Sequence, residues 1–118
     1  MFKSMYLSTL FVSLLTMLAA NQAMAADSVA TLDAKAPCEK PAYPRASLVN
    51  EEKGTVTLGF LIAVDGHVVE SKIEKTSGFK NLDKAAMNSL NLCKFKPATK
   101  DGKPDQAWTK VEYTWKLD

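Results

Sequence analysis

The sequence is poor in the residues from which catalytic and metal centres are built. It contains one histidine, His67, and two cysteines, Cys38 and Cys93, and these are too few for a zinc site. No second ligand or base stands at motif spacing from His67, and no serine lies in a nucleophile motif. No pair of Asp or Glu residues occurs in a pattern that predicts two carboxylates in a catalytic cleft. We therefore expect no enzyme activity, no catalytic residue, no metal and no cofactor.

The chain also lacks a strong excess of charge of either sign. Fifteen Lys and Arg residues stand against thirteen Asp and Glu residues. No basic patch indicates a nucleic-acid partner, because such binding depends on clustered Lys and Arg. Nothing in the sequence indicates a small-molecule substrate, and no internal repeat or second core is present.

A long apolar run occurs only at the N-terminus. Lys3 precedes an uncharged run over residues 5–20, and Ala23-Met24-Ala25 follows it. This order is typical of a signal peptide, residues 1–25, cleaved after Ala25. An inner-membrane anchor is the alternative, since the run is about as long as the shortest spanning helices, roughly 17 residues. We favour cleavage, which leaves residues 26–37 as a flexible leader and residues 38–118 as one small domain.

The two cysteines both remain after cleavage. An exported compartment allows them to pair, and an even count in a small secreted domain favours a Cys38–Cys93 disulfide. In the chain-entropy model, closing a loop of this length stabilises the fold by about 4 kcal/mol. Two free thiols, one of them buried, are the alternative.

Three strands are indicated by alternating apolar residues. Residues 55–64 place Val56, Leu58, Phe60, Ile62 and Val64 on one face. Asp65-Gly66 then predicts a type I′ hairpin turn, and residues 67–76 return with Val69 and Ile73 on a shared face. A third strand, residues 107–117, has Val111, Tyr113, Trp115 and Leu117 on one face. Leu61 is bulky on the polar face, and we expect a loop or the first helix to cover it.

Two helices complete the pattern. Pro44 begins a short helix with Ala46, Leu48 and Val49, and Asn81 is the predicted N-cap of a second helix from Leu82. Leu82, Ala86, Ser89, Leu90 and Cys93 form one stripe directed at the sheet. The predicted fold is therefore α+β, a small three-stranded antiparallel sheet with two helices packed on one face.

An ordered series of motifs resembles the C-terminal domain of TonB-type energy transducers, and it covers residues 41–117. The motifs are Pro41-x-Tyr43-Pro44-Arg45, Gly54-x-Val56, Asp65-Gly66-x-Val68, Ser77-Gly78, Leu82-Asp83-x-Ala85-Ala86 and Phe95-Lys96-Pro97-Ala98. The resemblance implies a periplasmic module that binds a segment of an outer-membrane transporter or another envelope protein. The binding mode implied is strand addition beside the last strand, since an edge strand carries unpaired N–H and C=O groups.

The same resemblance gives the expected partner-binding residues: Lys40, Pro41, Tyr43, Pro44, Thr109, Val111, Tyr113 and Trp115. The prolines would form a pre-ordered wall beside the edge. A proline at Val111 is expected to remove one donor from that edge. Tyr43 is either a packing residue or part of a peptide groove. Trp108 is either an exposed partner anchor or a residue that precedes the strand and folds over a loop or the first helix.

The sequence departs from full-length transducers in three ways. No proline-rich spacer lies between Ala26 and Cys38, the N-terminal run has no histidine, and Lys40 stands where transporter-binding members often have glutamine. We therefore expect a short, arm-less, secreted member that is accessory to transmembrane transport and does not transduce energy by itself. The alternative is a structural or inhibitory protein, its edge covered by its own leader or by a second copy in a homodimer.

Overall fold

A three-stranded antiparallel sheet lies at the centre of the computed structural model, which describes residues 27–36 and 38–118. The elements follow in the order β1 (Thr31–Leu32), α1 (Arg45–Val49), β2 (Gly54–Ile62), β3 (Val68–Lys75), α2 (Lys80–Leu90), β4 (Phe95–Lys96), β5 (Ala98–Lys100), β6 (Lys103–Asp105) and β7 (Ala107–Trp115). The sheet has the strand order β3-β2-β7. Together with the two helices it confirms the predicted α+β class. The expected signal peptide lies outside the described residues.

The central strand β2 follows its sequence pattern closely. Val56, Leu58, Phe60 and Ile62 are fully buried, as expected for one face of a pleated strand. Val64 is an exception, because β2 ends at Ile62 and the Val64 side chain is 55% exposed in the turn.

The turn between β2 and β3 differs from the predicted type I′ hairpin. Ala63 accepts from the Gly66 N–H, and the Ala63 N–H donates to the His67 carbonyl, both at 2.9 Å. Gly66 has a φ of +95°, whereas Asp65 is not among the residues with positive φ, so one left-handed residue closes a longer loop. A Cβ at Gly66 would lie 2.2 Å from the Phe95 carbonyl oxygen. The close approach of β4 therefore requires glycine here.

Strand β3 contains two bulges that the sequence pattern did not predict. Its register against β2 shifts between Leu61 and Ile62 and again between Thr57 and Leu58. Each shift places an extra residue in β3, which changes the face that the following side chains occupy. Val68 consequently packs against the core, whereas Val69 is 51% exposed. Ile73, which lies opposite Leu58, is 40% exposed, so neither of the two residues expected to share a face is buried.

Helix α1 buries a polar residue instead of its apolar ones. Pro44 is its N-cap, and Ser47 is fully buried. The Ser47 Oγ donates to Glu52 Oε1 at 2.7 Å, which satisfies the buried hydroxyl. Leu48 and Val49 are exposed.

Helix α2 begins earlier than predicted. Phe79 is the N-cap and Lys80 the first helical residue, so that Asn81 lies inside the first turn. The predicted stripe is otherwise observed, with Leu82, Ala86, Leu90 and Cys93 buried. Cys93 is disulfide-bonded to Cys38, which confirms that pairing.

Residues 27–36 carry paired backbone in place of the expected flexible leader. Strand β1 pairs antiparallel with β4, and Ser28 forms a bridge with Thr99 through two N–H to O bonds of 3.1 and 3.0 Å. Ala30 is 2% exposed and belongs to the core. These short pairings have no periodicity that a sequence pattern would reveal.

Neither helix within the described residues is long and apolar enough to cross a membrane.

Candidate partner-binding site

Three aromatic side chains meet where the segment before α1 passes the end of β7. The ring centroids of Tyr43 and Trp115 are 4.8 Å apart with an interplanar angle of 70°, and those of Tyr113 and Trp115 are 4.9 Å apart at 74°. Edge-to-face pairs of this kind are favourable. Trp115 is 3% exposed, so its side chain belongs to the core and supports the two tyrosines.

Tyr43 is fixed by both packing and hydrogen bonding. Its hydroxyl donates to the Glu52 carbonyl, in the loop that joins α1 to β2. Burial raises the pKa of Tyr43, and the nearby Glu52 carboxylate and Tyr113 raise it further, because each disfavours a phenolate. Tyr43 is therefore a neutral donor at physiological pH. Tyr43 is thus a packing residue, and it also lines the surface pockets described next.

A surface pocket of about 320 Å³ lies beside these rings. It is lined by Lys40, Pro41, Tyr43, Tyr113, Thr114, Trp115, Lys116 and Asp118. A neighbouring pocket of about 590 Å³ shares Tyr43, Lys116 and Asp118 and adds Leu48, Glu51, Lys53 and Leu117. Five of the eight predicted binding residues thus lie around one pocket, which we call the β7-end pocket.

The other three predicted residues lie elsewhere. Pro44 caps α1, Val111 packs against the core, and the Thr109 Oγ1 donates to the Ala30 carbonyl at 2.8 Å. Thr109 and Val111 belong to the same strand as the pocket but not to its lining.

The register of the sheet shows which backbone groups of β7 face outward. The Ala63 N–H donates toward β3, to His67, and successive residues of a strand direct their N–H and C=O groups to alternate sides. The backbone N–H and C=O groups of Ile62 and of every second residue before it therefore point toward β7. Their partners there are Ala107, Thr109, Val111, Tyr113 and Trp115. The outward groups belong to the residues between them: Trp108, Lys110, Glu112 and Thr114.

This alternation corrects the expected effect of a proline at Val111. Because the Val111 N–H faces β2, a proline there would remove a bond inside the sheet and leave the outer edge unchanged. Within residues 27–36 and 38–118, β7 pairs with β2 alone, so the outer side of β7 is a free edge.

The two edges of the sheet differ in regularity. Strand β7 keeps an unbroken register with β2 over nine residue pairs, from Gly54 with Trp115 to Ile62 with Ala107. The bulges of β3 interrupt the regular spacing of its donors and acceptors. Since bulges discourage pairing at an edge, β7 is the better template for an added strand.

Trp108 lies within β7, opposite Leu61. It is 41% exposed, and the Lys72 Nζ is 4.4 Å from its ring centroid. Trp108 therefore occupies the polar face of the sheet and does not precede the strand. Leu61 shares this face and lies opposite Trp108.

His67 pairs with the carboxylate of Asp65 in the exposed hairpin turn. Hydrogen bonds from the His67 N–H and then from its ring lower the pKa of Asp65. In the part of the chain that the structure describes, no three His, Cys, Asp or Glu side chains converge as a metal ion would need.

Sequence reasoning missed Thr114, Lys116 and Asp118 as pocket residues. Their types carry no motif, and Thr114 and Lys116 alternate onto the polar face. Only the position of the β7 end beside Pro41 brings them to the pocket. The outward direction of the Lys110, Glu112 and Thr114 backbone was likewise missed, because it depends on the turn geometry at Ala63.

Comparison with known proteins identifies the domain. A family model described as Gram-negative bacterial TonB protein C-terminal matches residues 39–117. The chain is 38% identical over 79 residues to Protein TonB of Neisseria meningitidis serogroup C, which covers 67% of this chain and 26% of that protein. It is 31% identical over 78 residues to Protein tonB2 of Pseudomonas aeruginosa, which covers 66% and 29% of the two chains. The match thus spans about a quarter of the length of these relatives.

A solved structure shows the same fold. The solution NMR structure of the Pseudomonas aeruginosa TonB CTD matches with a TM-score of 0.58 at 19% sequence identity, over 73% of this chain and 90% of that one. The element order, the sheet and the family match agree over residues 39–117, and the chain therefore belongs to the TonB C-terminal domain family.

Proposed function

We propose that this protein binds an extended segment of an outer-membrane transporter or another envelope protein by strand addition to β7. The observation that carries the proposal is the free, regular edge of β7, which ends at the β7-end pocket. An added strand would satisfy the outward backbone groups of Lys110, Glu112 and Thr114. The pocket would then select the side chains of that strand.

The wall of the pocket supports this mode of binding. Pro41 is buried, and Tyr43 is held by Trp115 and by the Glu52 carbonyl. A wall that is ordered before the partner arrives reduces the entropy cost of association. The charges at the pocket are mixed, with Lys40 and Lys116 beside Asp118, and they would help to orient an approaching segment.

We further propose that the protein acts in the periplasm, exported by a signal peptide over residues 1–25, as an accessory to transmembrane transport. The family assignment supports an envelope location. The binding role requires no catalytic residue.

A protein with an edge covered by its own leader is less consistent with the structure. Strand β1 pairs with β4, and Ser28 with Thr99 in β5. The backbone pairs of residues 27–36 are therefore made with β4 and β5, and the Ala30 carbonyl contacts β7 through the Thr109 side chain, not through an outward backbone group. A second copy could still pair there, and the test below separates that outcome from a transporter partner.

The test uses proline substitutions on both edges. Glu112→Pro removes an outward N–H of β7, and Ser71→Pro is the matched control on β3, because Ser71 opposes Phe60 and its N–H also faces outward by the same alternation. Both variants should keep a cooperative unfolding transition. Val111→Pro should lose it, since it breaks the pairing of β7 with β2.

Affinity capture from detergent-solubilised outer membranes then tests partner binding. We expect the unmodified protein and Ser71→Pro to retain an outer-membrane transporter and Glu112→Pro to lose it. Retention by all three proteins would contradict strand addition to β7. Recovery of only a second copy of the chain, lost in Glu112→Pro, would replace the transporter role with a homodimer.

A further inference from the structure

One wall of the β7-end pocket is formed by Lys40 and Pro41, which belong to an irregular segment of the chain. Residues 38–43 form neither helix nor strand. Lys40 and Pro41 nevertheless line the pocket opposite the end of β7. Regular backbone pairing therefore does not fix the position of this wall, and other contacts must do so.

Two side-chain contacts join the start of the segment to the end of α2. Cys38 is bonded to Cys93, and the Ser89 Oγ donates to the Glu39 carbonyl at 3.2 Å. Both contacts lie within two residues of Lys40. At the other end of the segment, Tyr43 is fixed on Trp115.

The α2 side of this attachment is rigid. Leu90 and Cys93 are 5% and 4% exposed and belong to the core, and the Cys93 N–H donates to the Leu90 carbonyl at 3.1 Å. Cys38, in contrast, is exposed. The disulfide thus ties an irregular, exposed stretch of backbone to a buried position of the core.

We propose that Cys38, Cys93 and Ser89 are positioning residues that hold Lys40 and Pro41 against the end of β7. This inference rests on the proposed function, because it assigns the disulfide a role in shaping the partner site. A disulfide that served only as a staple could connect many other pairs of positions with a similar separation, which is 55 here. This one ends two residues before the pocket wall.

Loss of the disulfide should therefore open the pocket over Trp115 while the rest of the core stays packed. Trp115 reports this directly, since it is 3% exposed and lines the pocket. Trp108 is the other tryptophan in the sequence. In a Trp108→Phe background, the fluorescence of Trp115 can be measured alone.

The experiment compares acrylamide quenching of Trp115 in four proteins that share the Trp108→Phe background. They are the parent, Cys38→Ser with Cys93→Ser, Ser89→Ala, and Ile62→Ala as a core control at the far end of β2, opposite Ala107. Each quenching constant is divided by the measured fluorescence lifetime to give the quenching rate constant. The four proteins are compared under conditions in which unfolding curves show each of them folded.

We expect the double serine variant to raise the quenching rate constant of Trp115 severalfold, to about five times the parent value or more, because local opening exposes a buried ring. Ser89→Ala should raise it less, and Ile62→Ala should leave it near the parent value despite lower stability. An unchanged constant in the double serine variant, or an equal rise in Ile62→Ala, would overturn the positioning role.

No partner is present in this experiment, so its outcome is independent of strand addition. If Trp115 becomes accessible but the capture test on Glu112→Pro fails, the proposed function is wrong and the positioning of the wall stands. If Trp115 stays protected while capture succeeds, the disulfide is a staple only.

Discussion

Asp83 is a buried carboxylate that joins the loop after β3 to the first turn of α2. It is 4% exposed, and it accepts hydrogen bonds from the Thr76 hydroxyl, from the Ser77 N–H at 2.9 Å and from the Ser77 hydroxyl at 2.7 Å. Burial alone would raise its pKa, but the bonds from Ser77 and Thr76 outweigh burial and lower it. The ionised form of Asp83 is therefore favoured by the fold.

We expect Asp83→Asn to reduce the free energy of unfolding by about 1–3 kcal/mol near neutral pH, because the donors lose a charged acceptor. An unfolded aspartate titrates near pH 3.9. Since the folded pKa is lower, the contribution of Asp83 is present above about pH 4 and is lost as pH falls through the folded pKa.

Urea unfolding from pH 7 to pH 2 measures this effect. The gap in stability between the parent and Asp83→Asn should narrow in the acid range, and Asp105→Asn, at an exposed site, should show no such narrowing. A constant gap across the whole range would mean that the charge of Asp83 does not matter to folding.

Single residues were predictable where alternation alone decides their environment. Val56 and Phe60 were placed in the core by their alternation, and Cys93 by the spacing of α2. The burial of Ser47 was not predictable, because it depends on a hydrogen bond from Ser47 to the Glu52 side chain, which lies beyond the end of α1. The role of Asp83 was not predictable either, because its partners Thr76 and Ser77 lie outside the helix.

At the scale of elements, the same dipeptide forms two different turns. Asp101-Gly102 joins β5 to β6 with φ values of 54° and 78°, which is the two-residue type I′ arrangement. Asp65-Gly66 has a positive φ at the glycine alone. The difference arises from β4, because the Phe95 N–H donates to the Gly66 carbonyl at 2.9 Å and fixes the longer loop.

Gly66→Ala should therefore be more harmful than a substitution at another left-handed glycine. Gly78 is the matched control, since its φ of +100° is close to the +95° of Gly66 and a Cβ there meets nothing within 4 Å. Both variants carry a backbone cost on the order of 1–3 kcal/mol, and Gly66→Ala adds the clash with the Phe95 carbonyl. Thermal unfolding of the two variants measures the loss of stability in each. Equal losses would show that β4 can shift at little cost to relieve the clash.

The sequence did not predict the bulges of β3 or the start of α2, because tertiary contacts determine both. Strand β2 and the stripe of α2 followed from period alone, because each has one buried face. The bulges of β3 have no sequence signal in Val69 or Glu74, and the N-cap at Phe79 carries no capping side chain. The free edge of β7 could be expected from a three-stranded sheet, but the outward residues required the register.

At the scale of the whole molecule, residues 27–36 extend the domain beyond the part matched by the family. The match begins at residue 39, whereas Ala30 is part of the core and accepts from Thr109 in β7. The Asp33 N–H also donates to the Lys94 carbonyl at 3.0 Å. The folding unit thus includes a segment whose composition gave no indication of structure.

A chain that begins at Cys38 should be less stable than one that begins at Asp27. The deletion removes the Ser28, Asp33 and Thr109 hydrogen bonds and exposes the surface under Ala30, so we expect a loss of about 2–4 kcal/mol in urea unfolding. Thr109→Val removes one of these bonds alone and should cost about 1 kcal/mol. Equal stability of the two chains would instead mean that residues 27–36 contribute nothing to folding, as expected of a flexible leader.

The contrast between the bulged β3 and the regular β7 limits how large an assembly this sheet can build. A sheet with two equally receptive edges would offer head-to-tail contacts, which propagate into filaments. Here the bulges of β3 discourage pairing on one side of the sheet. If the proposed strand addition to β7 takes place, the three-stranded sheet offers it one regular edge, and association through that edge would end in a discrete pair.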